Sequence, residues 1–209
     1  MALIGREHFY ASFRCAIEEV AESGPVLDFG TDSKFRKELA PFRSQLTEAG
    51  YYALGFHVRR QGELTPDLDA DLQSLPFRTG SVGGAFAIEV FEHLPEPWRA
   101  AAELHRVLRP GGRAMITVPF WSGYHAKPGP AGYGDYFRFT EDGLRSLFAM
   151  FDRVDVTPLG GKINNLLTTP PFHMLKRLAL SPRLVRVFNA LDSGMPTRSP
   201  TRWLVRLDR

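Results

Sequence analysis

The sequence predicts one α/β domain whose mostly parallel sheet is covered by helices on both faces. Two observations carry that expectation. Apolar segments of strand length alternate with segments of helical spacing, and glycine and proline fall between the segments rather than inside them. Composition is the third: 209 residues, 44% of them hydrophobic and 23% charged, suit a single compact domain and exclude disorder, collagen and coiled coil.

From Arg6 to Ser23, Phe9, Phe13, Ala16, Ile17 and Val20 recur at helical spacing, and Gly24-Pro25 stops the helix. Pro25 to Gly30 reads as a first buried strand, Ser33 to Phe42 as a short helix, Tyr51 to Val58 as a second strand and Asp67 to Leu72 as a weak third. Gly84 to Val90 is apolar until Glu89, as a fourth, central strand would be. The clearest helix is expected from Glu96 to Arg109, with Pro97 in its first turn and Arg99/Glu103 as an i,i+4 pair. Its buried face would be Trp98, Ala101, Ala102, His105 and Leu108, and Pro110-Gly111-Gly112 would end it. Arg106, Arg109 and Arg113 read as a solvated rim.

Arg113 to Phe120 follows as a fifth strand. Thr140 can cap a helix that has Glu141 and Asp142 in its first turn and Leu144, Leu147, Phe148 and Phe151 on its apolar face. Asp152 to Leu159 and Thr201 to Asp208 complete the strands. Between them, Ile163 to Ser193 holds two expected helices split near Ser181-Pro182, with Phe172, Met174, Leu175, Leu178 and Leu180 as core or an oligomer contact.

Charge narrows the partners. Lysine and arginine number 26 against 23 acids, a net charge of +3, so nucleic acid is not expected. Cys15 is the only cysteine, which leaves neither an internal disulfide nor a cysteine-rich zinc site. No apolar run reaches the roughly 18 residues of a membrane span. The opening MALIGREHFYASFR carries charges where a signal peptide would be apolar, so a cytoplasmic protein, monomeric or homodimeric, is expected.

In a sheet of this kind ligands sit beyond the carboxyl ends of the strands. The first strand ends Val26-Leu27-Asp28-Phe29-Gly30-Thr31-Asp32-Ser33-Lys34. This resembles the first motif of the class I S-adenosylmethionine-dependent methyltransferases, an acid and then glycines at alternate positions. Asp28 and Gly30 match, whereas Asp32 and Lys34 stand where the second and third glycines would be. Asp32 reaches left-handed angles only at some cost and adds a carboxylate close to the cofactor's own.

A longer match follows in Asp71-Leu72 with Leu75-Pro76-Phe77, in Glu92-His93-Leu94, and in Arg106-Val107-Leu108-Arg109-Pro110-Gly111-Gly112. In this order and spacing they resemble the small-molecule, ubiquinone-biosynthesis-like methyltransferases (type 11). His125 and Asp135-Tyr136-Phe137-Arg138-Phe139-Thr140 are similar to a segment of one branch of that family.

The resemblance, which covers roughly residues 25 to 160, implies a three-layer Rossmann-like fold with a seven-stranded, mostly parallel sheet and an antiparallel last strand. It divides a single domain 1–209 into an N-terminal helix (1–24), a cofactor-binding core (25–160), a helical insertion (161–195) and a last strand (196–209). It implies transfer of a methyl group from S-adenosylmethionine to a small-molecule acceptor. Asp28, Gly30 and Glu89 would serve the cofactor. Asp71 and the amide of Leu72 would face its adenine, and His57 stands where an acid usually grips the ribose, able to make only one such bond.

On the acceptor side the resemblance suggests His125, Asp135 and Tyr136 as catalytic candidates. A base there would serve a hydroxyl acceptor. Asp135, Tyr136 and Arg138 also read as a structural knot that starts the following helix. Tyr124, Tyr133 and the glycines from Lys127 to Gly134 suit a lid.

The E-x-x-E-H set of Glu89, Glu92 and His93 resembles the metal site of some methyltransferases, with His125 as a fourth ligand for magnesium or zinc. Relatives carry Glu-His here without metal, so none is expected. The rival class of function is a repurposed member of the fold that binds or assembles instead of catalysing. Its signs are Asp32 and His57, and Asp32→Gly with His57→Asp would separate the two. A nucleotide-dependent oxidoreductase is disfavoured because no G-x-G-x-x-G is present.

Overall fold

A computed structural model describes residues 6–30, 38–55, 66–129, 132–160 and 200–209, with side chains from residue 12 onward. Chain order is helix α1 (Arg6–Ala21), strand β1 (Val26–Phe29), helix α2 (Arg43–Ala49), strands β2 (Tyr51–Gly55), β3 (Leu68–Asp69) and β4 (Val82–Ile88), and helix α3 (Pro97–Val107). Strand β5 (Leu108–Pro119), helix α4 (Glu141–Leu147) and strands β6 (Arg153–Leu159) and β7 (Arg202–Asp208) follow. The seven strands form one sheet in the order β3-β2-β1-β4-β5-β7-β6. β7 runs antiparallel to both its neighbours, while β3, β2, β1, β4 and β5 are parallel.

This is the expected architecture, and the two-residue period of the strands builds it. Leu27, Phe29, Ala85, Ala87, Ala114, Ile116 and Val118 point to one face, where they pack with Ala100, Ala101 and Leu104 of α3 and Leu144 and Phe148 near α4. Val26, Phe86, Ile88 and Met115 point to the other, against Phe13, Ala16, Ile17 and Val20 of α1 and Leu46 of α2. β4 is buried along its whole length, as a central parallel strand requires.

Several expectations are corrected. Helix α3 ends at Val107, and its buried face is Pro97, Ala100, Ala101, Leu104 and Val107, while Trp98 is 54% exposed and Ala102 is exposed. Leu108 is extended and wholly buried because it pairs with Val82. Pro110-Gly111-Gly112 is therefore a bulge within β5, between the pairs Val82–Leu108 and Gly84–Arg113. A side chain at residue 112 would lie 2.8 Å from the carbonyl oxygen of Arg109, which is why glycine stands there.

Arg99 pairs with Glu96 at 2.9 Å, not with Glu103, which pairs with Arg106 at 2.7 Å. The three arginines keep solvent contact, Arg109 being exposed, and they also tie segments together. Arg106 donates to the carbonyls of Leu75 and Phe77, Arg109 to Ser23 and Arg113 to Glu19. Of the expected helix from Ser33 to Phe42, the described part holds only a 3-10 turn at Ala40–Phe42, and the helix proper is α2, which begins where that expectation ends. The helices expected between residues 163 and 193, with their apolar cluster, lie outside the described residues.

Candidate functional site

The carboxyl ends of β2, β1, β4 and β5 share one edge of the sheet, and the strand order reverses between β1 and β4. That is the crevice where open α/β sheets take ligands.

At the end of β1, Asp28 is wholly buried, and Tyr51 at the start of β2 donates its hydroxyl to Asp28 Oδ2 at 2.6 Å. Gly30 follows with φ +67°, and a Cβ there would sit 2.6 Å from Val90 Cγ2. Glycine alone satisfies that position. Across the crevice, Glu89 ends β4 with φ +55°, the one described non-glycine residue in that region of backbone space. Its amide donates to the Thr117 carbonyl at 2.9 Å, the Thr117 hydroxyl donates to its Oε1 at 2.9 Å, and Arg202 lies 3.8 Å from the same oxygen. Two adjacent strands thus end in left-handed residues, and such strain collects at functional sites.

Leu72 is buried, and the Asp71 carboxylate closes its own turn. Its Oδ1 accepts from the amide of Gln73 at 2.8 Å and from Gln73 Nε2 at 3.2 Å, while Oδ2 has only a 3.4 Å contact to Nε2. The Gln73 side chain in turn accepts from the amide of Glu96 at 3.0 Å, which ties this turn to the start of α3. Asp32 and His57 lie outside the described residues.

Beyond β4 the chain makes a 3-10 turn, Phe91–His93. Phe91 anchors it, wholly buried with its ring edge-on to Phe148 at 5.2 Å. This leaves the Glu92 side chain wholly buried. Burial, with the Glu89 charge adding to it, pushes its carboxyl up to about 8. The Glu92 carbonyl accepts from the amides of Tyr136 and Phe137, which stitches the turn to the segment before α4. His93 Nδ1 lies 2.6 Å from the Gly134 carbonyl, and burial lowers its pKa.

His125 faces the same carboxylate, its Nε2 being 3.7 Å from Glu92 Oε1. The Asp135 side chain is 1% exposed, grips Arg138 through both oxygens at 2.5 and 2.7 Å and accepts from the His125 amide at 2.9 Å. The Arg138 hydrogen bonds hold its carboxyl well below the usual range, so it stays ionised near neutrality. Asp135 and Arg138 therefore form the knot that the sequence suggested. Tyr136 is 55% exposed. Lys127 and Tyr133 exchange two backbone hydrogen bonds that close the expected lid into a small loop.

The structure thus brings together Asp28, Gly30 and Glu89 in one group, and His125, Asp135 and Tyr136 with Glu92 and His93 in another. Asp71 and Leu72 stand apart, past β3. Sequence reasoning missed Tyr51 and Thr117 as partners of the two strand-end acids. Thr117 had a signal, since it is the lone hydroxyl in the buried run of β5.

Comparison with known proteins agrees with this geometry. A family model described as a methyltransferase domain matches residues 45–116. An uncharacterised methyltransferase of Mycolicibacterium paratuberculosis is 44% identical over 122 residues, covering 53% of this chain and 45% of the relative. One from Mycobacterium sp. (strain KMS) is 48% identical over 50 residues, 24% of this chain and 20% of the relative. The chain thus spans less than half the length of these curated relatives. The crystal structure of an S-adenosylmethionine-dependent methyltransferase from Mesorhizobium loti superposes with a TM-score of 0.57 at 15% identity, over 95% of this chain and 96% of that one. Its fold is therefore shared. No helix among the described residues is long and apolar enough to cross a membrane. The methyltransferase-domain model thus matches the central strands and α3, and the fold is that of the superposed methyltransferase.

Proposed function

We propose that the protein is an S-adenosylmethionine-dependent methyltransferase acting on a small-molecule acceptor. The observation that carries the reading is the pair of left-handed residues, Gly30 and Glu89, that follow the neighbouring strands β1 and β4 at the switch point. The donor set suits the cofactor, whose amino group and sulfonium are cationic. Glu89 supplies a carboxylate at the strand ends and Asp71 one past β3, and Gly30 lets the backbone come close.

Bound there, S-adenosylmethionine supplies an electrophilic methyl group. The chain's own part is alignment and exclusion of water. Glu89, fixed by Thr117, would hold the amino-acid end, and Asp71 with the Leu72 amide the adenine. The acceptor would enter past His125 and the exposed Tyr136. Asp135 would act through its hold on the His125 amide and Arg138, as a positioning residue.

The test is titration calorimetry with S-adenosylmethionine and S-adenosylhomocysteine, the Asp71→Ala variant alongside. Micromolar binding that Asp71→Ala weakens about tenfold or more, some 1.4 kcal/mol, is expected. A folded protein that binds neither compound up to millimolar concentration overturns the reading and leaves the rival, a binding or assembly protein on this fold.

A further inference from the structure

Glu92, His93 and His125 each offer one ligand atom, and these atoms lie within 4.8 Å of one another. Glu92 Oε1 is 3.7 Å from His93 Nε2 and 3.7 Å from His125 Nε2. The Glu92 side chain is wholly buried, and neither of its oxygens has a hydrogen-bond partner. A carboxylate so placed is unfavourable unless a positive charge compensates it.

The imidazoles are turned the same way. His93 Nδ1 meets the Gly134 carbonyl at 2.6 Å, and His125 Nδ1 meets the Gly123 carbonyl at 3.0 Å with Asp135 Oδ2 at 3.4 Å. Arg138 Nη2, 3.3 Å from His125 Nδ1, is already donating to Asp135 Oδ2 and the Gly123 carbonyl. Donation from each Nδ1 to its carbonyl leaves each Nε2 with a lone pair aimed at the Glu92 carboxylate. Once Glu92 gives up the proton that burial makes it hold, three acceptors converge, and a cation can take that proton's place.

We propose that Glu92 Oε1, His93 Nε2 and His125 Nε2 bind one divalent first-row transition ion such as zinc, cobalt, nickel or ferrous iron. Two imidazoles and one carboxylate suit these ions, whereas magnesium takes oxygen ligands almost exclusively. Ligands of a tetrahedral zinc stand roughly 3.3–3.5 Å apart, so the two 3.7 Å separations close by a few tenths of an ångström, and the two imidazole nitrogens, within 4.8 Å of each other, draw together on binding.

Gly123, Gly134 and Asp135 supply the outer hydrogen bonds that orient metal-bound histidines. Glu89, although part of the E-x-x-E-H spacing, is turned to Thr117 and Arg202 and takes no part. Three protein ligands leave a fourth coordination position to water or a substrate group. With the ion bound, His125 Nε2 is a ligand and no longer a proton acceptor. The inference is independent of methyl transfer.

The experiment uses the full, untagged chain, stripped with a chelator and titrated separately with Zn²⁺ and Co²⁺ by calorimetry and visible absorption. One ion per chain is expected, together with a Co²⁺ d–d band. Affinity should fall on the order of 100-fold in Glu92→Gln and in His125→Ala and be unchanged in Cys15→Ser, which removes the exposed thiol. Far-UV circular dichroism checks that each variant is folded, and His125→Gln replaces His125→Ala if the smaller side chain unfolds the loop. No binding by the wild-type chain, binding indifferent to Glu92→Gln and the His125 variant, or loss in Cys15→Ser alone would overturn the proposal.

Discussion

Alanine at position 30 is expected to destabilise the protein by about 2–5 kcal/mol, from two separable causes. Backbone at φ +67° costs a residue with a Cβ about 1–2 kcal/mol more than glycine. The new Cβ would also stand 2.6 Å from Val90 Cγ2 and 3.3 Å from Val90 Cγ1, against ordinary carbon contacts of about 3.5–4.0 Å. Val90 is only 8% exposed and cannot swing into solvent. Overpacking of this kind adds about 1–3 kcal/mol. Urea denaturation measures the sum, as a fall in midpoint at unchanged slope. Val90→Ala in the same chain removes both offending carbons, so a double-mutant cycle should return the packing part, about 1–3 kcal/mol, and leave the backbone part. Gly30→Ala within 0.5 kcal/mol of wild type, or a cycle with no coupling, would refute the reasoning.

Asp135 should shape the acid limb of the stability curve. Its carboxyl is held low in the folded chain by Arg138, so the folded state stays ionised where the unfolded state begins to take up a proton, near pH 4. Its contribution is complete above that value and is lost as pH falls below it. Asp135→Asn should lower the melting temperature at pH 7 and flatten the decline below about pH 4; curves that stay parallel would exclude this account. At α4, Thr140 Oγ1 accepts from the amide of Gly143 at 3.1 Å. Thr140→Ala should cost about 1 kcal/mol, some 2–4 °C in melting temperature by calorimetry, and an unchanged melting temperature would show that the cap contributes nothing.

Much of the fold was legible because it rests on local periodicity. The strand from Val82 is a continuous run without polar residues, that from Val26 is apolar but for Asp28, and Thr140 with Glu141 and Asp142 marks a helix start by capping chemistry alone. What misled was long-range pairing. Leu108 has helical neighbours and helical spacing, yet its pairing with Val82 pulls it into β5. That shortens α3, and Ala100, Leu104 and Val107 line its buried face in place of Trp98 and Ala102. The arginines looked only solvated because their partners, the carbonyls of Ser23, Leu75 and Phe77, are far away in sequence. In the site, Asp28, Gly30 and Glu89 followed from strand ends. The turning of Glu92 toward His93 and His125 did not, since it depends on Phe91 docking against Phe148.

The placement of β7 sets an order of events during folding. β6 touches the sheet only through β7, and β7 is the later of the two in the chain. Until it arrives, the apolar flank of β5, with Met115, Ile116 and Val118, is an open template for any extended segment, and β6 waits beside it unattached. As synthesis proceeds from the amino end, the parallel half around β1, β4 and β5 can assemble first, and one antiparallel strand then seals the exposed margin and recruits β6 in the same step.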